Sequence, residues 1–216
     1  MSFPPPTPRK FLFTFGMATV IATAATACNS SDVAPTARWG MTPTTTSSST
    51  APAPSTSTSA APQKADYNRL LLRASDVSIP PDTYTAQSSK TDPNGIPGAS
   101  ALFVNQDDTR AIADTVVIYP DAATATATLR QAAGAVSTIV TGGTPQPFPV
   151  GTDGTVISGT SPDGAKAVTL LMFTEGRALV RLEFDSAPGD VTSPQVVTAV
   201  GRMQEIALRI GFTQPE

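Results

Sequence analysis

The chain has 216 residues, with 14 Lys and Arg against 17 Asp and Glu, no His and one Cys, for a formal net charge of -3. The lack of His excludes Ser-His-Asp catalysis, His-containing zinc sites and an imidazole base near neutral pH. The single Cys excludes an internal disulfide, and the acidic balance leaves no broad phosphate-binding face, so nucleic acid is not an expected partner.

Three unlike segments lie behind these averages. In residues 1–27, Arg9 and Lys10 precede an uncharged, mostly apolar stretch over 11–27. That is the order of an export signal. The stretch contains four threonines and falls short of the roughly 20 apolar residues that span a bilayer. Small residues then lead to the thiol as Ala25-Thr26-Ala27-Cys28. This box resembles the lipobox of bacterial lipoproteins, and its Ala- and Thr-rich form resembles actinobacterial versions. The resemblance implies that Cys28 takes a diacylglyceryl group and becomes the first residue after cleavage. The expected partner is then the membrane, reached through acyl chains on Cys28, with the protein at the outer face of the cell membrane or within the envelope. One acyl chain binds marginally and two suffice, so anchoring asks nothing of the rest of the protein.

Residues 28–65 are expected to be a tether. The run TPTTTSSSTAPAPSTSTSAAP at 42–62 has no charge and no large apolar side chain. Such a run cannot bury enough surface to offset the entropy of ordering it. About 35 disordered residues give a typical end-to-end distance of about 33 Å. The Ser, Thr and Pro content also suits O-glycosylation.

Residues 66–216 are long enough for one domain. DYNRLLLR at 66–73 predicts a short helix with Tyr67, Leu70 and Leu71 on its core face. Four prolines and DPNG make 75–98 a long surface loop. ALFVN at 101–105 and DTVVIY at 114–119 predict strands. Pro120 and Asp121 then open a helix whose apolar row is Ala122, Ala125, Leu129, Ala132 and Val136. The next segment, TGGTPQPFPVGTDG from Thr141, has too many glycines and prolines for a regular element, and Phe148 and Val150 are its pinning residues. Strands follow at 155–158, 166–173 and 177–184, joined by turns at SPDG and around Gly176. In the last strand Ala178, Val180, Leu182 and Phe184 face one way, and Arg177, Leu179, Arg181 and Glu183 the other. Ser193 and Pro194 start a terminal helix with Val196, Val200, Met203, Ala207 and Ile210 as its core stripe, a Glu205–Arg209 pair, and Gly211 as its stop.

The elements predict an α+β fold, a single domain after the disordered tether in which an antiparallel sheet of about five strands is covered by helices. LLLRASDV at 70–77, DTVVIYPD at 114–121 and VGTDGTVISG at 150–159 resemble the small sensor-like and Mog1/PsbP-like domains of several mycobacterial lipoproteins, and the external domains of some membrane receptor kinases. The resemblance implies an exported binding or accessory role without naming a ligand.

No catalytic residue, cofactor or metal site is expected. Ser161 in GTSPD reads as a turn residue, and so does the GTDG segment at 151–154. Glu183 and Asp185 share a sheet face, which Asp107 and Asp108 could join, but solvated carboxylates are far commoner than metal sites. The favoured function is a non-enzymatic interaction or sensor-like domain that binds an envelope protein or a glycan through the Pro-rich loops 78–98 and 143–150. Its candidate surface residues are Phe148, Val150, Arg177 and Arg181. The alternative is a carrier of a hydrophobic ligand such as a lipid, with Phe103, Leu171, Phe173 and Phe184 lining an apolar cavity.

Overall fold

A computed structural model describes residues 65–213. The expected export signal, Cys28 and nearly all of the tether lie outside the described residues. The chain enters through a 3-10 turn, Tyr67–Leu70, capped by Asp66, whose carboxylate accepts the Asn68 N–H at 3.0 Å. One helical turn follows, α1, Ala74–Val77. The strands are β1, Tyr84–Thr91; β2, Gly98–Asn105; β3, Ala111–Ile118; β4, Gln146–Pro147; β5, Thr152–Thr160; β6, Ala167–Glu175; and β7, Ala178–Ser186. Helix α2, Ala122–Gly134, lies between β3 and β4, and α3, Pro194–Thr213, follows β7.

All neighbours are antiparallel in one sheet of seven strands, ordered β1-β2-β3-β7-β6-β5-β4. The α+β reading holds, with two more strands than the sequence suggested. The first addition, β1, falls inside the stretch expected to be a loop. Its sequence YTAQSSKT buries only Tyr84 and has no apolar alternation. What makes it a strand is its ladder with β2, interrupted by an irregularity between Ala86 and Ser88. The second addition, β4, is two residues long, paired to Thr155 and Val156.

The sheet separates two apolar layers. On one side Phe103, Ile112, Val116, Leu171, Phe173, Val180, Leu182 and Phe184 meet α3 and the entering segment through Leu70, Leu72, Val77, Val197, Val200 and Leu208. On the other side Leu129 of α2 meets Ile157, Val168, Leu170, Met172 and Leu179. Alternation along β6 and β7 assigns successive residues to the two layers, which is why β6 is buried along nearly its whole length. Asp121 opens α2 as its N-cap, accepting the Thr124 N–H at 2.7 Å.

The terminal helix is rotated from the expected stripe. Its buried row is Val197, Val200, Gly201, Gln204, Leu208 and Gly211, while Met203 and Ile210 are 42% and 54% exposed. Close approach decides this. A Cβ on Gly201 would stand 2.7 Å from Leu171 Cδ2 and 3.1 Å from Val150 Cγ1, and one on Gly211 would collide with Leu70. The helix presents Gly201 to the sheet and Gly211 to the entering segment and packs tightly, so Gly211 is a contact point and the helix continues to Thr213. At the centre of that face Gln204 is fully buried, and its Nε2 donates to the Leu70 carbonyl at 2.7 Å.

Candidate functional site

Between α2 and the β4–β5 hairpin lies an open groove of about 450 Å³. Leu129 and Ala133 of α2, Pro145 to Pro147, Gly154 and Thr155 line it, with Arg130 and Asp153 at its rim. The groove exists because the loop 143–150 is held from inside. Val150 is 1% exposed and lies against the position of Gly201, and Phe148 is half-buried against the same core. The Phe148 N–H donates to the Gly154 carbonyl at 2.7 Å, and any Cβ on Gly154 would strike the carbonyl oxygens of Phe148 and Val150. With its far end pinned in this way, the loop turns Pro145, Gln146 and Pro147 outward.

Arg130 and Asp153 join across the rim at 2.9 Å, with side chains 73% and 39% exposed. An ion pair that wet contributes little to stability, so an incoming group can part it at small cost. The wall supplied by β4 is also the end of the sheet, and Pro147 there has no N–H to offer a further strand. Contact in the groove therefore falls to side chains: an apolar floor, one amide at Gln146, and one charge of each sign.

The expected surface residues do not come together. Val150 cannot meet a partner, because it is a core residue beneath α3. Phe148 is only partly reachable. Arg177 lies in the β6–β7 turn, outside the strand alternation, and its guanidinium sits 6.0 Å from the Phe212 ring of α3. Arg181 remains on the strand, on the opposite face of the sheet, and pairs there with Glu183. The two arginines thus serve opposite layers.

Of the carboxylates singled out by the sequence, Glu183 and Asp185 are already engaged. Lys166 Nζ holds Asp185 at 2.8 Å, with both side chains mostly buried. Among the described residues no group of three or more metal-ligating side chains converges. Asp107 and Asp108 lie in the β2–β3 turn. Ser161 Oγ donates to Asp163 at 2.5 Å and accepts the Lys166 N–H at 3.1 Å. These bonds close the SPDG turn, and the Ser161 hydroxyl holds the Asp163 carboxyl below its usual range. The four residues proposed for a lipid cavity, Phe103, Leu171, Phe173 and Phe184, are each no more than 2% exposed within one packed cluster.

Sequence reasoning missed Asp114. This side chain is fully buried on the α3 side of β3, where its Oδ2 accepts the Leu72 N–H at 3.0 Å and its Oδ1 has no protein partner. Burial pushes its carboxyl up to about 7, against the smaller lowering effect of the Leu72 bond. Its register neighbours are Ala101 and Leu182. The signal was present in the alternation of DTVVI, which sets Asp114 in phase with buried Val116 and Ile118. Together with Gln204, Asp114 fixes the backbone of the entering segment at Leu70 and Leu72.

No protein-family model matches the chain, and no curated protein does. Among solved structures, the chain is distantly similar to the extracellular domain of PknH from Mycobacterium tuberculosis, with a TM-score of 0.47 and 12% identity over 68% of this chain and 98% of that one.

Proposed function

We propose that the protein is an exported envelope lipoprotein, anchored through acyl chains on Cys28, whose folded domain is a non-enzymatic recognition module. The observation that carries the recognition role is the groove between α2 and the β4–β5 hairpin, with a preformed apolar floor and a weak ion pair at its rim. Its occupant is a segment of another envelope protein. Ala133, Pro145 and Pro147 offer apolar contact above the buried Leu129, while Gln146, Arg130 and Asp153 offer a few polar ones, and that combination suits a peptide better than a glycan, whose hydroxyls need a denser polar lining. Two facts favour this over lipid carriage: the aromatic residues of the α3 layer pack against one another, and the groove opens to solvent on the other layer. The lack of His and the pairing of Glu183 and Asp185 with cations support a role without chemistry.

The test is a photo-crosslinking residue at Gln146, with one at Ser89 on β1 as control, in the protein made in its own envelope. A discrete adduct from position 146 that is absent at 89 and lost when Ala133→Trp fills the floor is expected. Equal adducts from both positions, or adducts that survive Ala133→Trp, would refute the groove. Mass spectrometry of the same preparation reads the acyl chains on Cys28 directly.

A further inference from the structure

Asp114 of β3 and Gln204 of α3 are completely buried, and both hold the same short stretch of chain. Gln204 Nε2 donates to the Leu70 carbonyl at 2.7 Å, and Asp114 Oδ2 accepts the Leu72 N–H at 3.0 Å. Residues 66–72 depend on these partners. Among the described residues, none of their backbone groups bonds to the backbone of another element. Strand β3, by contrast, is laddered on both sides, to β2 and to β7. Downstream the chain is fixed at Ser78, whose Oγ donates to the Ala74 carbonyl at 2.7 Å and accepts the Tyr84 N–H at 2.9 Å. What can move at this contact is therefore the segment 66–72, while the sheet stays in place.

The two clasping side chains are unbalanced. Asp114 Oδ1 and Gln204 Oε1 are buried acceptors with no donor from the protein, and a buried acceptor left in that state costs free energy. The one donor that this pair can add is a proton on Asp114.

We propose that residues 66–72 form a strap that protonated Asp114 clasps to the domain and ionised Asp114 lets go, with the sheet folded in both states. With the strap closed, burial holds the carboxyl near 7; once the strap swings out, water reaches the group and returns it toward 3.8. The closed form thus keeps a proton that the open form gives up. Closure is strongest at low pH and weakens as pH rises from about 4 through 7.

None of the charged groups nearby faces Asp114. Strand β2 carries no titratable residue, and Asp114 is the only one on β3. On β7, Arg181, Glu183 and Asp185 lie on the other side of the sheet. On α3, Glu205 and Arg209 pair with each other, and Arg202 is exposed. Within the strap, Asp66 caps the first turn, Tyr67 is half-buried and Arg69 donates to the Gly211 carbonyl. Beyond it, Arg73 is exposed and its N–H donates to Asp76.

Opening uncovers the seat of Leu70 against Gly211 and adds seven residues, about 24 Å at full extension, to the chain that precedes the domain. The domain gains reach as pH rises.

The experiment is amide hydrogen exchange of the whole protein at pH 5, 6.5 and 8, with and without a low concentration of urea, each rate corrected for its intrinsic pH dependence. Leu71 and Leu72 report the strap, and the amides of β6 and β7 report the sheet. Strap exchange is expected to outpace sheet exchange at every pH and to be insensitive to urea, because opening exposes little surface. Protection at Leu72 should fall about a hundredfold between pH 5 and pH 8 in the parent and stay constant in Asp114→Asn. Strap and sheet amides that share one rate and one urea slope would show that the molecule opens only as a whole, and would overturn the proposal. A strap rate in the parent that ignores pH would overturn it too, as would the same hundredfold fall in Asp114→Asn. The parent series decides by itself should the variant fail to fold.

Discussion

Replacing Asp114 by Asn should change how stability depends on pH. In the fold the Asp114 carboxyl titrates near 7, against an ordinary value of 3.8, because burial penalises its charged form. The folded state therefore holds a proton that the unfolded state has released. The Asp114 contribution is constant below pH 4, declines as pH rises from about 4 through 7, and stays lowered above that. At one proton and 1.36 kcal/mol per unit, the loss between pH 5 and pH 8 is about 3 kcal/mol, with a ceiling near 4 kcal/mol at higher pH. The chain has no His, so no imidazole titrates in the same window. Urea unfolding followed by circular dichroism at pH 5, 6.5 and 8 measures the slope. The parent should lose stability across the series and Asp114→Asn should be nearly flat, so the variant gains on the parent as pH rises. Amide exchange at Leu72, corrected for its intrinsic pH dependence, should quicken in the parent alone. Parallel slopes in the two proteins, or a parent that gains stability toward pH 8, would refute the assignment.

Other substitutions test the packing. Gly201→Ala puts a methyl group 2.7 Å from Leu171 Cδ2 and should cost about 1–3 kcal/mol by overpacking, read as a lower Tm. Gln204→Leu removes the donor to the Leu70 carbonyl and should cost about 1–3 kcal/mol, with faster proteolysis after Arg69 and Arg73 than for the parent. Asp121→Ala removes the cap of α2 and should lower the midpoint of urea unfolding. Arg130→Ala should leave Tm nearly unchanged, since both partners of its ion pair are wet.

The parts of the fold legible in the sequence were those with strong period-two signals and good caps. The β6–β7 hairpin alternates cleanly, and Asp121 and Ser193 mark helix starts that the structure keeps. The sequence could not show β1, because an edge strand with polar residues on both faces has no hydrophobic signature; the ladder with β2 creates it. Hydrophobicity alone also chose the wrong side of α3. Met203 and Ile210 looked like core residues, but the core takes the face with the closest approach, where Gly201 meets Leu171 of the sheet and Gly211 meets Leu70 of the entering segment. For the candidate site, the loop 143–150 was legible as a Pro-rich surface loop pinned by apolar residues, whereas its neighbouring wall on α2 was not, since proximity between distant elements is a tertiary fact. Val150 was apolar in a loop, and whether such a residue points in or out is decided by the helix above it.

The strand order has a consequence for how the chain is made. Strand β3 takes its second neighbour from β7, some sixty residues later in the chain. As synthesis proceeds, β1, β2 and β3 appear together as a meander whose inner edge has no mate, and α2 appears before β5 and β6 give it a surface to lie on. Registering Ala111–Ile118 against Ala178–Ser186 joins the early and late halves in one step. The molecule should therefore mature slowly and late, and a ribosome stalled before residue 178 would leave a fragment with a sticky central edge in place of a smaller folded unit.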